Sequence, residues 1–201
     1  MALLSIDNIT IDVRLGLWKI DESVDDFYNN FPYLLSIKTK ISVCRSVSRQ
    51  LEMLATRCLL YIMTDGEYVE ISHNAHGKPQ INGWNISVSH TKGYAAVMLS
   101  RSHIVAVDIE HNSNRVSKIA DKFIRNDEYA PEVRMQLLHW SAKETIYKLY
   151  SEEDLMYFDM RLLPFSMCER GVVCIEDLKD YKTNEVHFMF TDDYVLTYSF
   201  S

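Results

Sequence analysis

Three apolar runs punctuated by two tight turns, all inside residues 85–110, constrain the fold more than any other stretch. Asn85–Ser89 leads into Thr91-Lys-Gly93, Tyr94–Leu99 leads into Arg101-Ser-His103, and Ile104–Glu110 closes the series. Runs of this length between turn residues read as strands. Their order predicts a three-stranded antiparallel meander, in which the first and third strands run in the same direction. His90, at the end of the first strand, is then expected at the sheet edge where the third strand ends.

That third strand reads Ile104-Val-Ala-Val-Asp-Ile-Glu110. Side chains alternate across a strand, so Val105, Val107 and Ile109 point one way and Ala106, Asp108 and Glu110 the other. The two carboxylates share a face, about 6.6 Å apart along the chain from the strand rise. Like charges so placed repel each other and lose hydration. A hard divalent cation relieves both costs, and Mg²⁺ is typically held by one or two carboxylates plus substrate phosphates. Taken alone, the pair is equally what a solvated strand end looks like.

Elsewhere the chain mixes helix and strand. Residues 2–20 alternate loosely and predict strand. Residues 45–64 predict a helix, with Val47, Leu51, Leu54, Cys58 and Tyr61 in one sector, Arg45, Arg49 and Arg57 in another, and Gly66 as its stop. Two more helices are expected near 115–125 and 132–150, separated by Pro131. Glu185–Phe190 and Tyr194–Phe200 flank Thr191-Asp-Asp193 as a hairpin. The fold class is therefore α+β with antiparallel sheets. With 201 residues, 6 glycines, 4 prolines and no linker-like stretch, the chain fits one compact domain or two small ones sharing a core.

The 132–150 helix carries Trp140-Ser-Ala-Lys-Glu-Thr-Ile-Tyr-Lys148. Trp140, Glu144 and Lys148 stack at i, i+4 and i+8, while Leu138, Ala142, Ile146 and Leu149 form a core-facing sector. The helix thus presents a third acid and a cation on a face of their own, although a plain surface ion pair between Glu144 and Lys148 has the same spacing. Ser87, Ser89 and His90 add hydroxyls and an imidazole suited to a phosphate-plus-metal site. His76-Gly-Lys-Pro79 is a short turn with one cation. Phosphate-loop, dinucleotide-fold and nucleophile-elbow glycine motifs are missing from the sequence.

With 28 acidic and 21 basic side chains the net charge is −7, which argues against indiscriminate nucleic-acid binding. Cys44, Cys58, Cys168 and Cys174 form no C-x-x-C pair and read as reduced, partly buried thiols rather than zinc or redox sites. Met1–Thr10 has no targeting pattern, and no apolar run exceeds six residues, so a soluble cytoplasmic protein without a membrane span is expected.

Taken in order, Gly77-Lys-Pro79, Ile86-Ser-Val-Ser-His-Thr91, Val107-Asp-Ile-Glu110, Phe123 to Glu128-Tyr129, and Trp140-Ser-Ala-Lys-Glu144 with Lys148 resemble the 4′-phosphopantetheinyl transferase superfamily. The resemblance is to its single-chain, surfactin-synthetase-activator type and covers roughly residues 45–150. It implies two pseudo-twofold-related α/β halves, 1–103 and 104–201, with coenzyme A in the cleft between them. It also implies transfer of the phosphopantetheine arm of coenzyme A to a serine of an apo acyl or peptidyl carrier protein, releasing adenosine 3′,5′-bisphosphate. On this resemblance Asp108, Glu110 and Glu144 would hold Mg²⁺. Ser89 and His90 would contact phosphates, and Lys78 and Pro79 would face the nucleotide. Glu144 or a bound water would take the serine proton, with His90 and Lys148 serving the chemistry and Lys148 neutralising the pyrophosphate.

Lys38, Lys40, Arg45, Arg49 and Arg57 face Glu52 alone in residues 38–57, so Arg49 and Arg57 are candidates for a coenzyme A phosphate cradle, or simply for a solvated helix face. Arg115, Lys118, Lys122 and Arg125 are expected to share a helical face, either solvated or docking an acidic carrier. The protein is expected to be a monomer. The competing readings are a non-catalytic coenzyme A-binding or regulatory relative, and an unrelated metal-dependent phosphoesterase. The latter lacks a second carboxylate and histidine cluster for a two-metal site.

Overall fold

The computed structural model describes residues 3–75 and 77–201. In chain order the elements are β1 (Leu3–Asn8), β2 (Val13–Lys19), α1 (Val24–Asn30), α2 (Lys38–Ser42), α3 (Val47–Met63), β3 (Ser72–His73) and β4 (Pro79–Gln80). There follow β5 (Asn85–Thr91), β6 (Tyr94–Ser100), β7 (Val105–His111), α4 (Val133–Leu149), β8 (Met160–Leu162), β9 (Arg170–Asp177), β10 (Lys182–Phe190) and β11 (Tyr194–Phe200). The fold is α+β, with two larger sheets in the orders β1-β2-β6-β5 and β7-β11-β10-β9-β8, every strand pair antiparallel.

Each sheet carries one 17-residue helix on its outer face, α3 on the first and α4 on the second. Their inner faces meet in a shared core of Val13, Leu15, Leu17, Ala96, Met98, Val105, Val107, Ile109 and Leu196. This sandwiching explains why β6, Tyr94-Ala-Ala-Val-Met-Leu-Ser100, is buried at every position. Ala95, Val97 and Leu99 face α3, while Tyr94, Ala96 and Met98 face the other sheet. A strand covered on both faces has no need of polar alternation.

Helix α3 starts at Ser46, whose hydroxyl accepts the Arg49 N–H at 3.3 Å, and stops ahead of Gly66, which sits at φ +89°. A side chain there would be strained, so glycine ends the helix at low cost. The buried face centres on Leu54, Ala55, Cys58, Leu59 and Met63, and Val47 in the first turn is exposed. Helix α4 buries Leu138, Ala142, Ile146 and Leu149 in the second core, the sector its periodicity predicts.

Four expectations are corrected. The strand expected over 2–20 is, in its described part, a hairpin of two strands, Leu3–Asn8 and Val13–Lys19, because Thr10 caps a turn, its hydroxyl accepting the Asp12 and Val13 N–H groups. The 115–125 segment is two 3₁₀ turns, Val116–Lys118 and Ala120–Lys122, not an α-helix. Ile119 leaves helical geometry at φ −127°, and the Phe123 carbonyl accepts the Lys143 ammonium at 2.7 Å instead of extending a helical ladder. The four basic residues there share no regular helix face, and Arg125 is tied to Asp127 at 2.8 Å. All four cysteines are free, and Cys168 is exposed rather than partly buried.

The fourth correction concerns the meander. Strands β5 and β6 form a hairpin, but β7 crosses into the second sheet and pairs with β11. Strand β7 is therefore an edge strand whose outward N–H groups have no ladder partner. Side chains of β5 supply one. The hydroxyls of Ser87, Ser89 and Thr91 accept the N–H groups of Val107, Ile109 and His111 at 3.0, 3.3 and 2.8 Å. The constant offset of twenty residues shows that β5 and β7 run parallel, as the order of turns predicts, joined by side chains rather than by a backbone ladder.

Removing one of these acceptors tests the seam. Ser87 is buried, so Ser87→Ala strands the Val107 N–H away from water. A loss of about 1–3 kcal/mol is expected in urea unfolding at neutral pH, the usual cost of a buried unsatisfied donor. An unchanged midpoint and slope would show that the seam contributes nothing to stability.

Candidate functional site

Strand β7 and helix α4 run antiparallel and bring the predicted acids onto one surface. Asp108 is 3 % exposed, and both of its oxygens accept hydrogen bonds. Oδ1 accepts the Ser89 hydroxyl at 2.9 Å and the Lys148 ammonium at 2.7 Å, and Oδ2 accepts the Ser141 hydroxyl at 2.8 Å. Lys148 completes its three donors with Ser89 Oγ at 3.0 Å and the Val107 carbonyl at 3.1 Å. The i, i+4, i+8 face of α4 thus reaches the site, but Lys148 pairs with Asp108 across the elements and not with Glu144 along the helix. Ser89 binds Ile109, Asp108 and Lys148 at once, so the seam and the site share a residue.

The other two acids each hold one aromatic donor. Trp140 Nε1 donates to Glu110 Oε1 at 2.7 Å, and the Tyr157 hydroxyl donates to Glu144 Oε1. Burial pushes the Glu110 carboxyl up to about 7, and the Asp108 charge adds to the rise against Trp140 and Lys148. Glu144 is also raised, by burial first and then by Asp108. Three carboxylates therefore share one ammonium, and two of them resist ionising. An all-oxygen donor set with surplus negative charge suits a hard divalent cation.

The three acids are gathered but not closed into a chelate. Among the described residues, the group of three acidic side chains with ligand atoms within 4.8 Å of one another is Glu153, Asp177 and Asp180. It lies beside the β9–β10 turn, where Asp177 accepts the Lys179 and Asp180 N–H groups and Asp180 pairs with Lys182.

Adjacent residues on β5 face opposite ways, which separates His90 from Ser89. His90 turns toward α3, with Nε2 2.8 Å from Thr56 Oγ1 and Nδ1 3.5 Å from Arg49 Nη1. The Thr56 hydroxyl donates to the Glu52 carbonyl, so it accepts from His90, which fixes the proton on Nε2 and the lone pair on Nδ1. Burial depresses the His90 pKa to about 4, and the Arg49 and Lys148 charges deepen the shift. No hydrogen bond joins it to Asp108 or Glu110, contrary to the expected convergence at one edge.

Two clefts flank this seam. One, of ≈ 220 Å³, is lined by Arg49, Thr56, Arg57, Gly77, Pro79 and His90. The other, of ≈ 360 Å³, is lined by residues that include Lys78, Pro79, Trp84, Ile104 and Tyr150. Pro79 belongs to both, so the Gly77-Lys-Pro79 segment forms the wall between them; His76 lies outside the described residues. Burial lowers the Lys78 pKa. The basic patch on α2 and α3 is partly neutralised, with Arg49 on Glu52 at 3.0 Å and Lys40 within 4.0 Å of Glu70.

Sequence reasoning did not assign Ser141, Lys143 or Tyr157. Ser141 and Lys143 stand inside the Trp140–Glu144 motif, so their positions were legible even though their roles were not. Lys143 is fully buried against Glu128 at 2.8 Å, a structural pair. Tyr157 follows thirteen residues after Glu144 in a connection without periodicity, and no sequence signal links the two.

The family model described as ACPS, 4′-phosphopantetheinyl transferase superfamily, matches residues 104–199. No curated protein matches the chain. The matched stretch contains β7, α4 and the second sheet up to Ser199, and with them Asp108, Glu110, Glu144 and Lys148. Residues 104–199 of this chain are thus a 4′-phosphopantetheinyl transferase superfamily domain.

Proposed function

We propose that the chain transfers the 4′-phosphopantetheine group of coenzyme A to a serine of an apo acyl or peptidyl carrier protein, with Mg²⁺ bound. The observation that carries this reading is that Asp108, Glu110 and Glu144 come together within reach of the Lys148 charge, which is bonded to Asp108, inside the matched stretch. The two sheet-plus-helix halves, 1–103 and 104–201, would grip coenzyme A between them. Arg49, Arg57, Lys78 and Pro79 would line the nucleotide end, and Ser89 and His90 would contact phosphates. The protein would act in the cytoplasm as a monomer; among the described residues no helix is long and apolar enough to cross a membrane.

Asp108, Glu110 and Glu144 would hold the cation, which when bound neutralises the pyrophosphate. The serine oxygen attacks the phosphorus bearing the pantetheine arm, and the bond to the adenosine 3′,5′-bisphosphate oxygen breaks. Glu144, held above the ordinary carboxylate range, or a water beside it accepts the serine proton. Lys148 places positive charge against the leaving oxygen. His90 is neutral at physiological pH in this arrangement, with its N–H given to Thr56, so it would act on a phosphate through Arg49, whose guanidinium lies 3.5 Å from Nδ1, and not as the proton donor.

Intact mass of an apo carrier protein after incubation with coenzyme A and Mg²⁺ decides between transferase and non-catalytic relative. A gain of one phosphopantetheine is expected, and an unchanged mass would favour the coenzyme A-binding alternative. Asp108→Asn keeps the shape but removes the charge. It is expected to lower kcat by about 100-fold or more, with the circular dichroism spectrum preserved.

The half-buried imidazole makes a separate pH prediction. The unfolded chain protonates His90 near its ordinary value of about 6.5, whereas the folded protein resists until about 4. Between those values the unfolded state binds more protons, so stability falls as pH falls. Acid unfolding of His90→Asn is expected to be flatter than wild type across pH 6.5 to 4. Parallel curves would mean that His90 is solvated in the native state.

A further inference from the structure

We propose that Tyr157 is a positioning residue that fixes Glu144 so that its second oxygen faces the cation and substrate. The inference rests on the transfer reading above. The Tyr157 hydroxyl donates to Glu144 Oε1, and among the described residues no other hydrogen bond reaches that carboxylate. One oxygen is therefore held and the other left open, which is how an outer partner orients a ligating carboxylate.

The tyrosine is itself held from several sides. Its ring leans on Trp140 at 5.2 Å between centroids, and Trp140 meets Phe123 edge-on at 5.1 Å. The buried Lys143 ammonium binds the carbonyls of both flanking residues, Phe123 at 2.7 Å and Tyr157 at 3.3 Å. Glu128 completes that anchor, accepting Lys143 at 2.8 Å through Oε2 and the Leu162 N–H at 2.6 Å through Oε1. The turn carrying Tyr157 is closed by Asp159 Oδ2, which accepts the Met156 N–H at 2.9 Å. Phe123, Trp140 and Tyr157 thus form a stack pinned at both ends. From it, Trp140 delivers one donor to Glu110 and Tyr157 one to Glu144.

Tyr157→Phe removes the hydroxyl and keeps the ring against Trp140. Binding of Mn²⁺, measured from the free-ion electron paramagnetic resonance signal with coenzyme A present, is the primary readout. Affinity is expected to fall by about 10–100-fold, the usual effect of losing an outer partner. The kcat for an apo carrier should fall while its KM stays within about twofold. Unchanged Mn²⁺ affinity and kcat would overturn the role of Tyr157 and leave the transfer reading intact. Wild-type protein that binds Mn²⁺ but modifies no carrier would overturn the transfer reading, while the Mn²⁺ comparison would still decide Tyr157. Wild-type protein that binds no Mn²⁺ overturns both.

Discussion

The hydroxyl seam between β5 and β7 is the constraint on which the other features depend. Strand β7 lies at the edge of its sheet, and three of its N–H groups point at the neighbouring half. An ordinary backbone ladder would have merged the two sheets into one. Hydroxyls on alternate positions of β5 satisfy the same donors and keep the two sheets distinct, each free to curve around its own helix. The Ser89 oxygen that accepts the Ile109 N–H also donates to Asp108, so the join between halves fixes the carboxylate at the centre of the site.

A second, buried interaction sets the far wall of the site. Lys143 and Glu128 have no solvent exposure, and removing two such charges from water is costly. The cost is offset because each is saturated. The ammonium reaches two carbonyls besides its acid, and the carboxylate accepts the Arg125 and Leu162 N–H groups as well. The pair pins three stretches of chain against α4. Its worth lies in geometry: the stretches it holds carry Tyr157, the donor to Glu144, and Phe123, whose ring packs on Trp140, the donor to Glu110. Replacing either partner alone would leave a buried charge unmatched.

Much of this was legible in the sequence because it depends on local periodicity. The 3.6-residue pattern separates the buried sector of α4 from the Trp140, Glu144, Lys148 face, and strand alternation places Asp108 and Glu110 together. What was not legible depends on pairing between distant segments. Nothing in Ile104–Glu110 says that its partner is β11 rather than β6, since both strands are apolar. Alternation also put Ser89 and His90 on opposite faces, yet treating the strand end as one location merged them. The 115–125 segment has helical spacing, but the Phe123 carbonyl is taken by Lys143, a tertiary competitor that periodicity does not register. Tyr157 acts through a single contact from an irregular connection, which leaves no pattern to read.

The seam also determines how the halves can move. Its hydroxyls recur every second residue, so its permitted registers are spaced about 6.6 Å apart along the strand. A smaller slide would break all three bonds together and set the N–H groups of β7 between acceptors, with no intermediate resting place. The shared core packed between the two sheets holds them face to face along the same line. The molecule is built like a book with a stitched spine, in which the pages on either side of Ser89 keep their alignment.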